Sequence, residues 1–140
     1  MLRPRVSPRW LSLGWSAWAS VTAASYVGVA PEPLTPLTAL IPGESLAWAW
    51  ALVAALLAVG AALPPHPGRV GRVGRAARAA GVTLLAAFLC AWAATYAIDS
   101  IADGGRLWVS AKNYFALAVA AAASAAHIAR NRAPIPEVVA

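Results

Sequence analysis

Three stretches of this chain, residues 10–30, 45–63 and 79–98, contain no Asp, Glu, Lys or Arg. Each is close to the about 20 residues that a helix needs to cross the hydrocarbon of a bilayer. A fourth stretch, 108–129, is interrupted only by Lys112 and Asn113 near its start, and its interior is dominated by alanine. A soluble domain of 140 residues would alternate apolar and polar positions. Here 61% of residues are hydrophobic and 11% charged, against about 25% charged in soluble domains. The expected fold class is therefore all-α: a polytopic membrane protein with four transmembrane helices arranged as two hairpins.

The segments between the runs carry the charges unequally. Residues 1–9 hold Arg3, Arg5 and Arg9; the segment 64–78 holds Arg69, Arg72, Arg75 and Arg78; the tail 130–140 holds Arg130 and Arg132. The connections 31–44 and 99–107 contain Glu32, Glu44, Asp99 and Asp103, with Arg106 and the nearby Lys112 as the basic residues on that side. Arginine-rich segments stay on the cytoplasmic face, so both termini and the central loop are expected inside, in the cell (inner) membrane. Tyr26, Trp48, Trp50, Trp92, Tyr96, Trp108 and Tyr114 gather towards the opposite end of the runs, as interfacial aromatics do. In a soluble protein the net charge of +6 would suggest nucleic acid. Beside apolar spans it marks the lipid bilayer as the partner instead, and no nucleic acid is expected.

Within the segment 64–78, GRVGRVGRAAR at 68–78 spreads its four arginines over about half of a helical circumference. Its expected role is to meet anionic headgroups and fix topology through Arg69, Arg72, Arg75 and Arg78. With Val70 and Val73 opposite, a surface-lying amphipathic turn leading into the next run is one reading; Gly68, Gly71 and Gly74, each costing about 1 kcal/mol relative to alanine in a helix, argue against a stable one and for a loop. Neither a P-loop nor a dinucleotide fingerprint is present.

In the first run Ser12, Ser16, Ser20, Ala24 and Gly28 recur every fourth residue. Small residues at that spacing permit close backbone approach in lipid, so they are expected to form a helix-packing stripe, against this chain or another copy or partner. A cleaved signal peptide is the rival reading of this run. Residues 31–44 are proline-rich; 37–41 form either a short surface helix or part of an extended linker. The Ala-rich fourth run is expected to be the most enclosed helix.

Groups able to do chemistry are few. Cys90 lies inside an apolar run and has no disulfide partner. His66 sits among prolines, and His127 lies just before the last arginines, where it either meets headgroups or senses protons. Asp99 and Asp103 stand at i and i+4 beside Arg106 and Lys112, where solvated ion pairs are the simpler reading. No nucleophile and base, metal-ligand set or cofactor box can be read, so the expectation is a non-enzymatic protein with no metal, no cofactors and no catalytic residues. It would act by helix–helix contact, as accessory subunit or modulator of a larger membrane complex.

The arginine bias over lysine resembles that of high-GC genomes, such as those of actinobacteria and their phages. In general character, through residues 1–9, the four runs and Arg130–Arg132, the chain also resembles the holin-like small membrane proteins of phages. That resemblance implies accumulation in the membrane and lesion formation.

Overall fold

A computed structural model describes residues 7–28, 43–64, 67–103, 105 and 107–130. The expected short helix at 37–41, Arg3, Arg5, His66, Arg106 and Arg132 lie outside the described residues. Among those described there are four helices and no strand: α1, Pro8–Ser25; α2, Gly43–Ala62; α3, Arg69–Asp103; and α4, Leu107–Arg130.

Local chemistry explains their ends. Ser7 caps α1, its Oγ accepting from the Arg9 backbone N–H at 3.4 Å, and Pro8 takes a first-turn position where a missing N–H costs nothing. Glu44 lies in the first turn of α2, where a carboxylate faces the positive end of the helix dipole. Gly68 supplies the positive φ of 114° that precedes α3. His127 and Arg130 occupy the last turn of α4, the end that favours cations.

The longest helix departs from expectation. Instead of beginning after the arginine segment, α3 starts at Arg69 and runs unbroken for 35 residues, about 52 Å at 1.5 Å per residue. Of the glycines that argued for a loop, Gly68 stands just before the helix, and the cost of Gly74 is offset by close packing on the end of α2, as it is at Gly81 further along. A Cβ on Gly74 would stand 2.9 Å from the Leu63 Cβ, and one on Gly81 would stand 2.8 Å from the Leu57 Cγ. α1 is shorter than the run that suggested it: it ends at Ser25, and Tyr26 to Gly28 form a turn.

Successive helices run antiparallel. α1 packs along α2, α2 along α3 and α3 along α4, while α1 meets α4 and α3 over only short stretches. The core lies mainly between α2 and α3, from Trp50, Val53, Leu57, Val82, Leu85 and Leu89, with Ala19 contributed by α1 and Ala118 and Ala121 by α4. α2 and α3 thus have neighbours on two sides. The expectation that the alanine-rich helix would be the most enclosed is corrected: α4 ends the row, and its Phe115 and Val119 face outward. Alanine lets one face of α4 sit close to α3 but attracts nothing to the other.

Two helices, over Glu44–Ala62 and Arg69–Ala102, are long and apolar enough to cross a membrane. α1, with its serines and Arg9, and α4, with Lys112, Asn113 and mostly alanine, are less apolar.

Candidate functional site

The antiparallel packing gives the bundle two ends of opposite character. Arg9 begins α1, Arg69, Arg72, Arg75 and Arg78 lie in the first three turns of α3, and Arg130 closes α4, so all six gather at one end. The described acids, Glu44, Asp99 and Asp103, lie on helix segments at the opposite end, where Lys112 also stands.

At the arginine end, two guanidinium groups converge on the last turn of α2. Arg78 Nη1 donates to the Gly60 carbonyl, and Arg9 donates from Nε to Ala61 O at 2.8 Å and from Nη2 to Ala62 O at 3.4 Å. The final carbonyls of a helix have no partner within it and carry about half a negative charge between them. Two other helices therefore supply the cap that α2 cannot supply for itself. Arg78 is buried, with 4% of its surface exposed. It directly precedes the apolar stretch 79–98, and Arg9 and Arg75 bring like charge near it. Of the four arginines expected to meet headgroups, Arg69, Arg72 and Arg75 are exposed and Arg78 is turned inward.

Beside this cap a half-open pocket of about 410 Å³ lies between the start of α1 and the end of α2. Ser7 and Arg9 form its polar side, and Trp10, Leu13, Ala58 and Ala61 its apolar side.

The middle of the bundle is knit by aromatic rings. Trp18, Phe88 and Trp92 each meet Trp50, at centroid separations of 5.5, 5.3 and 5.6 Å and steep interplanar angles. Trp92 Nε1 donates to Tyr26 Oη at 2.6 Å, and Trp15 Nε1 donates to Ser124 Oγ at 3.1 Å. Trp50 Nε1 is buried and finds no acceptor among the described residues. Of the aromatics expected at an outer interface, Tyr26, Trp50, Trp92 and Tyr96 are buried between helices, Tyr114 stacks on Tyr96 and is partly covered, and only Trp48 and Trp108 face outward.

The small-residue stripe also divides. Ser12 and Ser16 are buried, and Ser16 Oγ donates across to the α2 carbonyl of Ala54 at 2.9 Å. Ser20, Ala24 and Gly28 are exposed. Four-residue steps gain about 40° on the helix, so the contact passes to Ala19 and Tyr26, which are buried. Ser20, Ala23, Ala51, Ala55 and Ala58 instead border an outward groove of about 360 Å³ between α1 and α2.

Of the remaining candidates, Cys90 is exposed, His127 is half-buried in the last turn of α4, and Asp99 is half-buried near the end of α3. Among the described residues no group of three His, Cys, Asp or Glu could hold a metal ion. What the arrangement offers is a cationic end, an apolar exterior and shallow grooves. No family model, curated protein or solved structure matches the chain.

Proposed function

We propose that this chain is a multi-pass protein of the cell membrane, with all four helices crossing, both termini on the cytoplasmic side, and no enzymatic activity of its own. It works by helix–helix contact, as accessory subunit or modulator of a larger membrane complex. The observation that carries this reading is an apolar exterior around a core that holds several hydroxyls. Leu13, Val21, Leu52, Val59, Phe115 and Val119 face away from the bundle on α1, α2 and α4, while Ser12, Ser16, Thr95 and Ser124 are buried within it. Water would penalise that arrangement by about 25 cal/mol for each Å² of apolar surface left exposed. Lipid does not, and there the hydroxyls bond inside the bundle. Three of the buried ones do so within their own helices, Ser12 to Pro8 O, Thr95 to Ala91 O and Ser124 to Ala120 O.

The contact surface in this reading is the groove between α1 and α2. Its walls are alanine and serine, so a partner helix can approach the backbone closely. The test is capture of the full chain from membranes in mild detergent, with Ser20→Leu and Ala55→Leu as variants that fill the groove. A defined membrane complex should accompany the parent chain, and its recovery should fall at least tenfold in either variant, while helicity is kept. Equal recovery with the filled groove overturns the contact surface. Abrupt depolarisation of bacteria at a threshold level of expression would favour the lesion-forming alternative.

A further inference from the structure

We infer that the half-open pocket at the arginine end is a binding site for the phosphate headgroup of an anionic phospholipid, with an acyl chain leaving along Leu13 and Ala58. The inference rests on the membrane reading above and assigns a ligand to a place that reading leaves empty of role. Arg9 spends two of its five N–H donors on Ala61 and Ala62, which leaves three on a side chain that lines the pocket. The Ser7 hydroxyl accepts from a backbone N–H at 3.4 Å and keeps its own proton to donate.

The electrostatics point the same way. The end of α2 offers about half a negative charge to the two guanidinium groups bonded to it, and Arg75 adds a third positive charge within electrostatic reach of Arg78. The described carboxylates stand at the far end of the bundle. Net positive charge is therefore left at this end of the bundle, with Arg9 on the pocket wall, and a phosphodiester supplies the opposite sign.

Shape selects lipid over free phosphate. Only Ser7 and Arg9 are polar; the other walls are Trp10, Leu13 and three alanines of α2. Trp10 is 70% exposed one residue from Arg9, and an indole beside a cation is the pairing found at headgroup depth. A phosphate alone would leave the apolar side unfilled, whereas a glycerophospholipid covers both.

The test uses the purified full chain in neutral detergent micelles doped with equal amounts of phosphatidylglycerol and phosphatidylcholine, with retained lipid counted by native mass spectrometry. Phosphatidylglycerol should be retained in preference, and Arg9→Gln should lower that preference about fivefold. Arg75→Gln, which alters an exposed residue, should lower it in the same direction by less. It serves as the second variant should loss of the Arg9 cap unsettle α2. Equal retention of the two lipids, or an unchanged preference in both variants, overturns the site. Displacement of the lipid by millimolar inorganic phosphate overturns the lipid assignment in favour of a simple anion site. Carbonate extraction of native membranes keeps the two readings separate: a chain that is released fails the membrane reading, and one that stays without lipid preference fails only the site.

Discussion

Gly60→Ala tests the contact on which the α2–α3 interface turns, because two opposed effects decide its sign. Alanine is the better helix former by about 1 kcal/mol, so in an open position the change stabilises. At Gly60 the added Cβ would fall on the Arg78 Cγ and stand 3.0 Å from the Arg78 backbone N and 3.1 Å from its Cα. Backbone atoms cannot rotate aside, so the helices must part. Overpacking of this kind costs about 1–3 kcal/mol. The separation also removes the Arg78 bond to the Gly60 carbonyl, a buried bond to a charged donor worth about 1.5–3 kcal/mol. The balance is a loss of about 1.5–5 kcal/mol. Gly14→Ala is the internal control: nothing lies within 4 Å of a Cβ there, so it should gain about 1 kcal/mol. Reversible unfolding of both variants in mixed micelles, followed by far-ultraviolet circular dichroism, gives the comparison. If Gly60→Ala gains stability as Gly14→Ala does, the close approach of α2 and α3 is wrong.

Trp92→Phe orphans the Tyr26 hydroxyl, whereas Trp50→Phe removes an indole N–H that has no acceptor among the described residues. The first should cost about 1–3 kcal/mol more than the second, and the double variant Tyr26→Phe/Trp92→Phe should recover part of the loss in a double-mutant cycle. The four arginines of the central segment should separate into two classes. Replacing Arg69, Arg72 and Arg75 with Gln should disturb orientation in a cysteine-accessibility assay and leave stability within about 0.5 kcal/mol. Arg78→Gln should lower stability by about 1–3 kcal/mol with orientation kept. An unchanged orientation in the triple variant would refute the topological role of the exposed three.

The sequence made the helices legible and left the facing of particular residues obscure, for reasons of period. Charge-free runs announce helices because hydrocarbon tolerates little else, and all four runs lie wholly or largely within a helix. Facing depends on angle. Steps of three residues lag a full turn by about 60°, so an arginine series that begins with Arg69 outside has turned about half a circle by Arg78 and aims it at α2. The same arithmetic carries Ser20 and Gly28 off the contact face that Ser12 and Ser16 occupy. Both rotations could have been computed from spacing alone. Which face meets a neighbour could not, because with apolar residues all round the spans no amphipathic contrast marks the inside. The role of Arg9 was illegible for another reason: its partners Ala61 and Ala62 lie about fifty residues away and contribute only backbone oxygens, which leave no trace in side-chain pattern.

The unequal seams of the bundle set how it can deform. Three are long interfaces of interlocked side chains. The fourth, between the first helix and the last, holds through a short contact that includes a single indole-to-hydroxyl bond from Trp15 to Ser124. Because the other three interfaces are long, the first and last helices are the neighbouring pair whose relative position is least constrained. Trp15 and Ser124 therefore carry the side-chain hydrogen bond that closes the bundle between its first and last helices.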